Sequence, residues 1–235
     1  MEPPHPVPES PGAPSRWDRL WLLPLLLAPL MIAQCWNAPF LTFDDTTYIA
    51  NDPRLREGAS WVETVQHRQG YPFYYPLTFL SWRIDRAVWG TLLDPIVEKN
   101  AWPAGVRVTN LLLHLGSALW IWLILRGLGA RAALAGFVST AFALHPTACE
   151  SVCWAVERKN ALAACLALAA LWRYLNSRTL WHHALAAVLF ALAILSKPSA
   201  LGIGAVVVAW EALGRPSFFE KTGTEPFAKR WRSAA

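Results

Sequence analysis

The sequence predicts an all-α, polytopic membrane protein with about six transmembrane helices and a long first external loop carrying interfacial helices. Three observations predict it. Of 235 residues, 54% are hydrophobic, only 16% are charged and 14 are Trp, a balance too apolar for an ordinary water-soluble domain. Apolar stretches meet or approach the roughly 20 residues that cross a bilayer, with charges and Trp at their ends. The cations behind the formal net charge of +5 stand in short groups beside those stretches. Such grouping is an orientation signal, and it argues against nucleic acid as a partner.

The elements follow in order. Residues 1–15 hold Pro3, Pro4, Pro6, Pro8, Pro11 and Pro14 and bury too little apolar surface to order themselves, so they read as a disordered tail. Residues 16–214 form the membrane domain. Its first span covers residues 20–35, behind Arg16 and Arg19. The run begins late, contains two prolines and ends without a small-residue cleavage site, so it reads as an anchor and not as a signal peptide.

Residues 37–106 form the external loop, with Asp44, Asp45, Asp52, Asp85 and Asp94 among Arg54, Arg56, Arg68, Arg83 and Arg86. Its aromatic content argues for order. Residues 61–67 and 77–89 look amphipathic. Leu77, Leu80, Ile84 and Val88 recur at helical spacing opposite Arg83 and Arg86, which would lay the helix on the membrane with Trp82 and Trp89 at headgroup depth.

Further spans are expected at residues 106–125, 132–144, 160–174, 180–195 and 199–213, separated by Gly127–Arg131, by 145–159, by Arg173–Arg178 and by Ser196–Pro198. Arg126, Arg131, Arg173, Arg178 and the basic tail at 215–235 mark the cytoplasmic side. Both termini are then cytoplasmic. The segments 37–106, 145–159 and 196–198 share the outer face.

That face collects every residue with chemical promise. Asp44 and Asp45 suit a general base or a hard cation, Mg²⁺ or Mn²⁺, although two acids alone are thin coordination. The plainer reading of Asp-Asp before Thr-Thr is a turn or helix cap. Glu157, Arg158 and Lys159 stand at the mouth of a span, where cations suit a phosphate or merely anchor the interface. Lys197 is the lone charge in its connection and suits either a ligand or a helix C-terminus. His114, in an apolar stripe, reads as a hydrogen-bonded core residue. The cysteines Cys35, Cys149, Cys153 and Cys165 lack zinc-site spacing, and Cys149 with Cys153 is the candidate disulfide, two free thiols being the plainer reading.

The blocks FDDTTYIANDPRL, YYPLTFLSWRID, RVTNLLLHLGSAL, FALHPTACESVCWAVERKNALAACLALAALWRYL and AILSKPSAL, in this order, resemble the N-terminal half of bacterial membrane proteins carrying tetratricopeptide repeats. Those are similar to the transmembrane and tetratricopeptide-repeat O-mannosyltransferases, of the GT-C glycosyltransferase fold. The resemblance covers about residues 20–213, and HPTACESVCWAVERKN is its most specific block.

It implies a partial GT-C-like membrane domain in a bacterial inner (plasma) membrane, transferring a sugar from a polyprenyl-phosphate donor to an acceptor, a protein hydroxyl, on the outer face. The family's acidic pair matches Asp44 and Asp45 as catalytic residues. Its HP, ES, W and ERK positions match His145, Pro146, Glu150, Ser151, Trp154, Glu157, Arg158 and Lys159, and its SKP motif matches Ser196, Lys197 and Pro198; of these, His145, Glu150, Glu157, Arg158, Lys159 and Lys197 would bind donor phosphate and substrate. Relatives of this kind have more spans and continue into helical repeats. No repeat of about 34 residues is present here, so a second polypeptide is an expected partner for completing the fold. The rival class is a catalytically inactive or truncated membrane scaffold that binds a partner.

Overall fold

The computed structural model describes residues 23–33, 35–36, 38–56, 58–66, 74–97, 101–176 and 179–213. The tails expected at 1–15 and 215–235 lie outside them. Every regular element among these residues is helical, which establishes the all-α class. In chain order the helices are α1 (Leu23–Leu27), α2 (Pro29–Ala33), α3 (Trp61–Val65), α4 (Pro76–Val97), α5 (Ala101–Gly127), α6 (Ala132–Leu144), α7 (Ala148–Cys153), α8 (Arg158–Leu175), α9 (Leu180–Ser196) and α10 (Leu201–Ala212).

The first apolar stretch is not one rod. Its described part breaks at Ala28, because Pro29 has no N–H to continue the ladder and starts a new five-residue helix. The 37–106 stretch is largely helical. α4 runs for 22 residues, and α5 begins before the expected span start at residue 106.

α4 turns inward a face separate from its apolar stripe. Thr78, Phe79, Trp82 and Asp85 are buried, while Ile84 and Val88 are 47% and 41% exposed. Trp82 is 2% exposed and meets Phe79 edge-on at 5.1 Å, inside a core cluster with Ile49, Leu55 and Val106. It therefore sits in the protein core and not at a headgroup surface. The inward face is mixed: beside Phe79 and Trp82, Asp85 pairs there with Arg158 of α8 and accepts from Thr109 of α5 at 2.8 Å.

α5 is the axis of the bundle. α4, α6 and α8 pack against it, and α8 in turn packs along α9 through Ala163, Ala167 and Ala193, side chains small enough for close approach. The α4–α5 approach is tighter still. A Cβ on Gly105 would lie 2.2 Å from Cγ of Trp89. α10 buries none of its side chains.

One helix among the described residues, Trp102–Gly127, is long and apolar enough to cross a membrane, and three apolar helices are shorter, at Ala132–Leu144, Leu180–Ser196 and Pro198–Ala212. At 1.5 Å per residue the 26-residue helix reaches about 39 Å, whereas the 13 residues of α6 reach about 20 Å.

Candidate functional site

The candidate site is organised on the short link between α7 and α8, the 3₁₀ turn Ala155–Glu157. Turns of this kind leave N–H groups without helical partners. Asp45 supplies one acceptor: its Oδ1 takes the N–H of Val156 at 2.9 Å, and its Oδ2 takes the N–H of Leu41 at 3.1 Å. The carboxylate is fully buried. Burial pushes its pKa above the usual carboxylate value, against the opposing pull of the Leu41, Val156 and Ala155 N–H groups and the charge of Arg107.

Arg107 holds the other side of the same link. Its guanidinium donates to the carbonyls of Ala38 at 2.6 Å, Pro39 at 3.0 Å and Cys153 at 3.1 Å. Asp44, the neighbour of Asp45, is half-buried and has no hydrogen-bond or ion-pair partner among the described residues. The pair thus divides into a carboxylate that holds backbone and a carboxylate that is free.

Beyond the turn, the three charges of the Glu157-Arg158-Lys159 cluster separate. Arg158 points inward and is fully buried, paired with Asp85 and bonded to Asn110, to the Val106 carbonyl at 2.9 Å and to Ser81 at 3.3 Å. Every nitrogen of its guanidinium is engaged by the protein. Lys159 instead pairs with Glu157 at 2.9 Å, near the surface. The other oxygen of Glu157 accepts from the Asn160 amide, whose own oxygen accepts from the Lys197 ammonium. The result is a chain Lys159, Glu157, Asn160, Lys197, two ammonium groups around one carboxylate.

Lys197 reaches this position because the end of α9 is fixed from outside the helix. The Ser196 carbonyl accepts from the buried Thr78 hydroxyl of α4 at 3.0 Å, and Pro198 opens the next 3₁₀ turn. Tyr75 also lies close by. Its phenol pKa is raised by burial and by the neighbouring Tyr48 and Glu157.

Two cavities meet at this chain. One, of about 560 Å³, runs between α5, α6 and α8, is mostly apolar, and includes His114, Phe142, His145, Ser151 and Asn160 in its walls. The other, of about 410 Å³, is lined by alanines of α8 and by Ile121, Asn160 and Lys197. Asn160, Phe142 and Ala164 belong to both. Together they make an apolar groove with a cationic, hydrogen-bonding rim.

The expected site residues are therefore distributed unevenly. Lys197, Glu157 and Lys159 come together, His145 lines the groove, and its Nδ1 meets the Thr147 hydroxyl at 2.7 Å. Arg158 and Asp45 are committed to the protein interior. Glu150 is exposed on the first turn of α7 and lines neither cavity. His114 is the hydrogen-bonded core residue its stripe suggested, with Nε2 at 3.1 Å from the Ala143 carbonyl.

Sequence reasoning missed Asn160 as the joint of the chain, although its place three residues after Glu157 puts both on one helical face. It also missed the buried Asp85 and Asn110. No three His, Cys, Asp or Glu side chains converge among the described residues. Each oxygen of Asp45 already accepts one N–H group, so an ion at the pair would share that carboxylate with the backbone. No protein-family model matches the chain, and no curated protein or solved structure is significantly similar to it.

Proposed function

We propose that the chain is a membrane glycosyltransferase module that transfers a sugar from a polyprenyl-phosphate donor to a hydroxyl acceptor, a protein side chain, on the non-cytoplasmic face. The observation that carries the reading is the apolar groove ending at Lys197 and Asn160, from which hydrogen bonding leads on to Glu157 and Lys159. A polyprenyl chain needs apolar walls, and its phosphate needs cations that are not already neutralised. Two ammonium groups against one carboxylate leave one positive charge, which matches the single negative charge of a phosphodiester.

The membrane setting is supported by side chains that no protein covers. Leu112, Phe137, Val188, Leu195, Val206 and Val208 are all exposed on the helices around α5. In this reading α5, α8 and α9 cross the bilayer, the shorter α6 and α10 cross where it thins, and the α1–α2 segment with its proline break provides the sixth crossing.

In the reaction, Asp44 accepts the proton of the acceptor hydroxyl. The oxygen attacks the anomeric carbon on the face opposite the phosphate, so the bond between that carbon and the phosphate oxygen breaks with inversion. Lys197, with Lys159 beside it, stabilises the departing polyprenyl phosphate. Asp45 is a positioning residue, since it fixes Leu41 and the turn that carries Glu157. Arg158 acts through the fold and touches no substrate.

A second reading, a membrane scaffold of the same fold without catalysis, is favoured by one observation. Both oxygens of Asp45 are engaged by backbone N–H groups, those of Leu41 and Val156, a structural role. Photocrosslinking separates the two. A photoreactive polyprenyl phosphate should label residues 137–168 in membranes carrying this chain and be displaced by polyprenyl phosphate but not by polyprenol. In Lys197→Gln that preference should fall. Equal competition by the uncharged alcohol would remove the phosphate site and with it the donor.

A further inference from the structure

Outside the groove, the feature that the proposed reaction leaves unused is a set of thiols. Cys35 lies in the turn after α2, and Cys153 is the last residue of α7. Both pack against the same cluster of Ala28, Ile32, Leu111 and Val152. The Cys153 thiol donates to the Met31 carbonyl at 3.2 Å, and the Cys35 thiol donates to the Ile32 carbonyl at 3.6 Å. Those two carbonyls are consecutive on α2, so both thiols reach the same end of that helix.

Burial, with the Cys35 and Cys149 thiols nearby, pushes the Cys153 thiol up to about 12. Cys149 is exposed one turn earlier on α7. All four cysteines are free thiols. Sequence spacing singled out Cys149 with Cys153, but packing gives Cys153 a different neighbour.

We propose that Cys35 and Cys153 are the partners of a disulfide that fastens the end of α2 to the end of α7. The oxidant is a disulfide, carried by a small molecule or by a thiol–disulfide oxidoreductase. The Cys35 thiolate attacks one sulfur of that disulfide and releases the other as a thiol. The Cys153 thiolate then attacks Cys35 Sγ in the mixed disulfide and releases the second thiol. Two thiols are oxidised, one disulfide is reduced, and the two protons end on the reduced oxidant.

The raised Cys153 thiol makes the second step slow, since few molecules carry its thiolate near neutral pH. Once formed, the bond acts where it matters for the rest of the molecule. The Cys153 carbonyl is held by Arg107, and the next residues are Trp154 and the turn bearing Glu157. The link therefore ties the first apolar segment to the base of the candidate site, and it closes a long loop in the unfolded chain.

The test uses the full chain in detergent, treated with diamide, alkylated, digested and read by mass spectrometry. Added oxidant makes the result independent of which face of a membrane the thiols occupy. The expected product joins the Cys35 peptide to the Cys153 peptide, with free thiols falling from four to two. Cys149→Ser should leave that product intact, and Cys35→Ser should abolish it. A Cys149–Cys153 product, or four alkylated thiols under conditions that fully oxidise an exposed pair on a control protein, would overturn the assignment. The peptide map of the unsubstituted chain decides the matter even if Cys35→Ser folds poorly.

Discussion

Removing the carboxylate of Asp85 should be among the most damaging single changes to this fold. Arg158 has no solvent exposure, and among the described residues Asp85 is its only counter-charge. In Asp85→Ala the guanidinium keeps neutral acceptors in Asn110, Ser81 and the Val106 carbonyl, but its charge stays buried and uncompensated. Breaking a buried pair in this way costs about 3–5 kcal/mol. Against a total stability on the order of 5–15 kcal/mol, that is a large fraction.

Removing both charges tells the cost of the orphaned ion from the value of the pair. Asp85→Leu with Arg158→Met leaves Asn110 and Ser81 short of a partner, roughly 1–3 kcal/mol, but abolishes the buried charge. Thermal unfolding of the detergent-solubilised protein, followed by Trp fluorescence, should therefore rank the double variant above Asp85→Ala. A single variant that melts within a degree or so of the parent, or a double variant worse than either single one, would refute the reasoning.

Three further outcomes follow from the same geometry. Arg107→Lys loses the fork that holds the carbonyls of Ala38, Pro39 and Cys153 and should cost about 1.5–3 kcal/mol for each charged hydrogen bond not remade, read as a lowered melting temperature. Gly105→Ala drives a methyl into Cγ and Cβ of Trp89, atoms too near the backbone to swing away; overpacking of about 1–3 kcal/mol is expected, and an unchanged melting temperature would contradict the close α4–α5 approach. Burial raises Asp45 above its ordinary value of 3.8, so its contribution to stability is full below that value and is lost as pH rises through the raised folded value. Asp45→Asn cannot ionise, and the slope of melting temperature against pH in that window should flatten.

The helical class was readable because apolar runs punctuated by Gly127-Leu128-Gly129 and His145-Pro146 leave few alternatives, and the α5–α6 and α6–α7 boundaries fall where those signals stand. The orientation of α4 was not readable. Its spacing marks Leu77, Ile84 and Val88 as an apolar stripe, and Ile84 and Val88 stay uncovered by protein. A second face with Phe79, Trp82 and Asp85 turns inward, where Asp85 finds its partner in Arg158, 73 positions away in sequence. Long-range pairing leaves no trace in local periodicity.

The same holds for the site. The sequence marked Glu157, Lys159 and Lys197 but could not separate them from Arg158, which differs only in the direction of its side chain at the first residue of α8. For the acidic pair the sequence offered two roles, a cap and a base. In the structure the Asp45 side chain caps no helix of its own but holds the N–H groups of Leu41 and Val156, and Asp44 has no partner among the described residues, a division that depends on the Val156 N–H arriving from 111 positions away in sequence.

The central claim is tested most directly by sugar transfer. Membranes carrying this chain would be given radiolabelled polyprenyl-phosphate sugars and a Ser/Thr-containing peptide, with Asp44→Asn at matched protein level as the control. The account predicts incorporation into the peptide by the parent chain and a loss of about 10²–10⁴-fold in Asp44→Asn, the usual contribution of a general base. Incorporation no greater than in empty membranes across the donors, or full activity in Asp44→Asn, would contradict it.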